Sequence, residues 1–124
     1  MGEGEISFGG PGALARAELC ADTVMKRLAH DGVSADDMRV DYIGVDSVFG
    51  PATPRRPEDP WEVRLRIAAR SYDRAVAERV AQEMDYMYFG PSGAGGVRRS
   101  VKQVLGLSSV LLPWDEISVK VEVA

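Results

Sequence analysis

Cysteine and histidine are almost missing from this chain, and that scarcity closes several classes of function. Its 124 residues hold one cysteine, Cys20, and one histidine, His30. A lone cysteine excludes an internal disulfide and a multi-cysteine zinc site, and it fits a reducing compartment. Excess positive charge is also missing. Lys and Arg number 15 against 19 Asp and Glu, a net charge of -4. Binding to a phosphate backbone needs a basic stripe that this balance does not supply, so nucleic acid is not the expected partner. Long apolar runs are absent, so no stretch of ~18 residues could span a bilayer. The opening MGEGEISFGG lacks the basic and apolar regions of a secretory signal. The expectation is a cytoplasmic protein without a membrane partner, forming a single domain over 1–124.

What is present has a readable order. Glu5 to Phe8 reads as a short strand, followed by the turn-forming Gly9-Gly10-Pro11-Gly12. An Ala-rich helix comes next, with Leu14, Ala17, Ala21, Val24 or Met25, and Leu28 at helical spacing, and Gly32 as its stop. A strand is expected from Arg39 to Phe49, with Gly44 marking a bulge or a close backbone approach. GPATPRRPEDP places four prolines in eleven residues and reads as a stiff connection. In WEVRLRIAARS, Trp61, Val63, Leu65, Ile67 and Ala69 alternate with Glu62, Arg64, Arg66, Ala68 and Arg70. Period two sets the apolar residues on one face of a strand and the arginines on the other.

Asp73 is placed to cap a second helix, with Val76, Val80, Met84 and Met87 as its buried line. Two more strands are expected, Lys102 to Leu112 and Ile117 to Val123. The order is strand, helix, strand, strand, helix, strand, plus one. That is an α+β ferredoxin-like βαββαβ sandwich with an additional C-terminal strand. Two helices would cover one face of an antiparallel sheet and leave the other open.

Catalytic groups are few. Ten helical positions separate Cys20 from His30, about 80° in direction and ~15 Å along the axis, so they cannot act as nucleophile and base. Cys20 reads as a small buried hydrophobe, and His30 as a cation at the helix C-terminus. The pairs Asp36-Asp37, Glu58-Asp59 and Asp115-Glu116 lack calcium-loop spacing and read as solvated charge. No metal site and no cofactor is expected.

Two features carry binding potential. Arg64, Arg66 and Arg70 on an open sheet face could grip an anion or receive a second subunit, or simply pair with Glu62, Glu122 or Asp41. RNA is excluded there, because the aromatics needed for base stacking are absent. The second feature is YFGPSGAGGVRRS, residues 88–100, with four glycines and two adjacent arginines. It fails the P-loop pattern for want of a lysine, and fails G-x-G-x-x-G because Arg98 stands at the third position. It also follows a helix and precedes a strand, the reverse of both motifs. A nest of N–H groups beside Arg98 and Arg99 could still hold an anion, or the glycines could admit another backbone.

Several segments in order, EISFGGPGALARAELCADTVMKRL, VDYIGVDSVFG, VRLRIAARS, GPSGAGGVRRSV and LLPWDEISVKVEV, resemble the C-terminal ferredoxin-like region of the acyclic terpene utilisation, AtuA-like, family. The most specific pieces are Asp41-Tyr42-Ile43-Gly44-Val45 and GPSGAGGVRR. In typical members a larger domain precedes this region. The resemblance therefore implies a stand-alone small subunit whose partner is a larger AtuA-like subunit on a separate chain. It implies a place in acyl-CoA steps of terpenoid or branched-acid breakdown, with acyl-CoA as a substrate of the complex. Gly93, Gly95, Gly96, Arg98 and Arg99 would then lie at a shared interface or contact the substrate anion, and catalytic residues would lie elsewhere. The alternative is a self-associating, homo-oligomeric ferredoxin-like module that binds a ligand without catalysis. A free-standing enzyme like the small acyl phosphatases lacks an identifiable arginine and water-orienting pair.

Overall fold

The computed structural model describes residues 1–34, 38–54, 58–90, 92–105 and 109–122. Its strands are β1 (Gly2–Gly9), β2 (Met38–Ile43), β3 (Glu62–Ala69) and β4 (Gly95–Val101), and its helices are α1 (Ala13–His30) and α2 (Arg74–Tyr88). The sheet order is β2-β3-β1-β4, with every neighbouring pair antiparallel. Each helix joins two strands that are not neighbours, which is the split βαβ arrangement of a ferredoxin-like sandwich.

The core lies between the helices and one sheet face. Ile6 and Phe8 of β1 and Val63, Leu65 and Ile67 of β3 are fully buried there. They meet Ala17, Cys20, Val24 and Leu28 of α1, and Val80, Met84 and Met87 of α2. Val76 is half-buried, and Ala77 and Ala81 lie deeper in the helix seam. The Asp73 side chain accepts a hydrogen bond from the Ala75 N–H at 2.8 Å and caps α2. Gly32, at φ +75°, ends α1 as expected from its freedom in the left-handed region.

Four boundaries differ from the sequence expectation, each for a local reason. β1 begins at Gly2 rather than Glu5. Gly2 and Gly4 occupy its helix-facing positions, where a Cβ would meet the Ala77 carbonyl oxygen at 1.8 Å and Met84 Cγ at 2.5 Å. Glycine lets α2 lie against β1, and it also hides the strand from an apolar pattern.

β2 stops at Ile43 instead of running to Phe49. Gly44, at φ +93°, turns the chain, and the Val45 and Asp46 N–H groups donate to the Tyr42 carbonyl. A 3-10 turn, Gly50–Ala52, follows within the proline-rich connection. Trp61 precedes β3 and is exposed.

β4 starts inside the glycine stretch, at Gly95 rather than at Lys102. Its pairing with β1 slips between Glu5 and Ser7, whose partners are Arg98 and Gly95, so β4 carries one extra residue there. Gly96, at φ +63°, takes up that bulge. The expected strands over Lys102–Leu112 and Ile117–Val123 are not formed among the described residues, and the additional C-terminal strand is therefore absent from the sheet. The Asp36-Asp37 pair and Val123 lie outside the described residues. No helix among the described residues is long and apolar enough to cross a membrane.

Candidate functional site

Period two in β1 and β3 assembles the open sheet face. Glu3, Glu5 and Ser7 point away from the core beside Arg66 and Arg64, their direct or diagonal neighbours in the register. Arg64 reaches Glu5 through Nε at 2.5 Å and Ser7 Oγ through Nη1 at 2.8 Å. Arg66 donates to Glu3 through Nε at 2.7 Å and to Asp41 through Nη1 at 2.8 Å. Asp41 also accepts from Arg39 Nε at 2.6 Å, so two guanidinium groups bracket this buried carboxylate. Burial opposes the charge of Arg66, but its hydrogen bonds to Glu3 and Asp41 outweigh burial and raise its pKa further. These arginines are held by cross-strand pairing, and the carboxylates come mainly from β1 rather than from Glu62 or Glu122. Arg70 lies beyond the end of β3 and lines a separate hollow of about 590 Å³ with Arg74 and Lys102.

At the other candidate region α1 meets the end of β1 and the α2–β4 connection. Arg16, on the first turns of α1, donates to the carbonyl of Gly93 at 2.7 Å, to that of Ser92 at 3.3 Å, and to that of Gly9. It thereby ties the α2–β4 connection to the end of β1. Gly93, at φ +63°, takes a conformation that other residues rarely adopt. Ser92 is buried, and its hydroxyl has no hydrogen bond of good geometry although it lies beside the Cys20 thiol. Burial pushes Cys20 up to about 11, with the Ser92 hydroxyl opposing and Glu83 adding to the rise. At neutral pH Cys20 is a thiol and a poor nucleophile.

The expected loop residues are not all brought together. Gly93 faces Arg16, while Gly95 and Gly96 lie at the start of β4 near Ser7 and Arg64. Arg98 and Arg99 are consecutive in a strand and point to opposite faces. Arg98 is exposed on the open face across from Glu5. Arg99 turns to the helix side and pairs with Asp85 of α2 at 2.6 Å. The two therefore cannot close on one small anion together.

Sequence reasoning missed two further clusters. Glu83 is fully buried between the helices, accepting from Arg27 Nε at 2.7 Å and from Arg79, while both guanidinium groups also lie over the Tyr86 ring. The i,i+4 spacing of Arg79 and Glu83 was the available signal. Arg16 carries no motif that singles it out, although its place one turn after a glycine-rich loop suits it to bind carbonyls. Among the described residues, no group of three or more His, Cys, Asp or Glu side chains is arranged to hold a metal ion.

The fold and these clusters define a ferredoxin-like α+β protein whose arginines serve mostly as ties between strands, helices and loops. The profile of the acyclic terpene utilisation family protein AtuA matches residues 1–123, and the chain belongs to that family. No curated protein and no solved structure matches it.

Proposed function

We propose that the chain is a small accessory subunit of a heteromeric AtuA-type enzyme, acting in the cytoplasm on acyl-CoA esters of terpenoid or branched acids. Family membership over residues 1–123 carries this reading and points to a role related to terpene utilisation. The state of the polar groups supports an accessory role. Cys20 is held as a buried thiol, Glu83 is locked between two arginines, and Arg64 and Arg66 are engaged by carboxylates. The surface offered to a larger AtuA-like chain is the exposed rim of the α2–β4 connection, Gly93 to Gly96, continuing to Arg98. A subunit interface there also lies close enough for Arg98 to meet a substrate phosphate or carboxylate.

The test is reconstitution with the larger chain. Arg98→Ala with Arg99→Ala lowers assembly or turnover at least about tenfold, the weight of a charged hydrogen bond. Asp85→Ala, which removes only the internal partner of Arg99, leaves both unchanged. Unchanged assembly and unchanged turnover in the double variant would defeat the proposal.

A further inference from the structure

The segment after β4 is built like a strand but, among the described residues, has no strand beside it. Ile117, Val119 and Val121 alternate with Ser118, Lys120 and Glu122, yet all three apolar side chains are 47–79% exposed. Trp114, just upstream, is 81% exposed. So contiguous an apolar segment marks an interaction surface rather than a finished surface.

The sheet offers two edges to such a segment, and they are not equivalent. At β4, Arg99 stands in the middle of the helix-side row, and the bulge at Gly96 breaks the edge. At β2, the helix-side row is Met38, Val40 and Tyr42, all partly buried against the core, while Arg39 and Asp41 face the other way. No described strand pairs with the outer edge of β2.

Laid antiparallel along β2, the segment finds one register that satisfies both faces. Val119 stands across from Tyr42 and Val121 from Val40, extending the apolar row. On the open face Glu122 stands across from the exposed Arg39, so opposite charges meet there, while Lys120 stands across from Asp41, which Arg39 and Arg66 already hold. The same register carries Trp114 towards the turn after β2. There a hollow of about 400 Å³ is lined by Val45, Val48, Phe49 and Pro54 among others.

We propose that residues 117–122 add as a fifth strand to the β2 edge of a second copy of this chain, giving a two-fold dimer by reciprocal exchange of C-terminal arms. Charge complementarity at Glu122–Arg39 and the apolar match at Val40 and Tyr42 identify the occupant as this chain itself. Isologous exchange repeats each contact twice and closes the assembly. The exchange uses the sheet edge opposite β4, so it is independent of any contact made by the glycine stretch.

Sedimentation velocity of the full chain at roughly 100 µM, where a micromolar dimer is saturated, is the test. The wild type sediments as a dimer. Val119→Asp with Val121→Asp sediments as a monomer with unchanged circular dichroism, since neither residue belongs to the core. Glu122→Arg weakens the dimer about tenfold through two repeats of a like-charge contact, and Glu122→Gln weakens it less. A monomeric wild type overturns the proposal, including one whose arm pairs with its own β2. So does a dimer that survives the double aspartate variant.

Discussion

Val63–Ile67 and Ile117–Val121 carry the same alternation of apolar and polar residues, yet the first is the centre of the sheet and the second lies in solvent. β3 has β1 on one side and β2 on the other, two helices above it, and carboxylates within reach of its arginines. Among the described residues the arm has none of these. Alternation specifies which residues share a face, but a strand also needs backbone partners along its edge. Where the chain supplies them, the pattern becomes core. Where it does not, the same pattern stands ready for a second molecule.

That contrast is broken or sharpened most strongly by substitutions in the body. Leu65→Ala, opening a cavity under both helices, costs about 2–5 kcal/mol, whereas Val119→Ala in dilute solution shifts the unfolding midpoint hardly at all. Glu83→Ala removes the buried acceptor that Arg27 and Arg79 share, both of which are partly in water, and costs about 2–3 kcal/mol of folding stability, read from urea unfolding.

Alkali gives an effect no larger than these. Cys20 is raised in the folded protein to about 11 from an ordinary value of 9.0. Between those values the unfolded chain has released a proton that the folded chain retains, so stability falls as pH rises through this window. The fall is roughly 2–3 kcal/mol by pH 11, and Cys20→Ala abolishes that component. A titration curve identical in the two proteins would show that Cys20 is not sealed in the core.

Arg64→Ala comes last, at about 1 kcal/mol or less, because the pair it breaks is partly in water. Arg98→Ala, exposed on the same face, is expected to leave thermal stability unchanged. If Arg98 proved the more costly of the two, its assignment to a contact outside the body would fail.

Much of this body is legible in the sequence. The alternation of β3, the helical spacing of α1 and the Asp73 cap all carry their structural meaning locally, and their order implies the ferredoxin-like topology. The errors fall where glycine or tertiary contact decides. Gly2 and Gly4 conceal half of β1 because their function is to be absent beneath α2. Gly44 ends β2 where β-propensity favours continuing, and Gly95 and Gly96 begin a strand while looking like a loop.

The candidate site was less legible for the same reason. Arg98 and Arg99 are adjacent in sequence but separated by the sheet, and only a correct β4 boundary shows it. The row formed by Glu3 and Glu5 was readable in principle, since their spacing matches that of Arg64 and Arg66. Its meaning depended on knowing that β1 and β3 are neighbours.

The central claim is that the body is complete through β4 while the C-terminal arm is a strand awaiting a neighbour in another copy. Amide hydrogen exchange at two protein concentrations tests it most directly. In dilute solution the amides of β1 and β3 are protected and those of residues 117–122 exchange at the rate of open chain. In concentrated solution residues 117–122 and the outer amides of β2 slow together. Protection of the arm that is the same at both concentrations, or absent at both, would contradict the account.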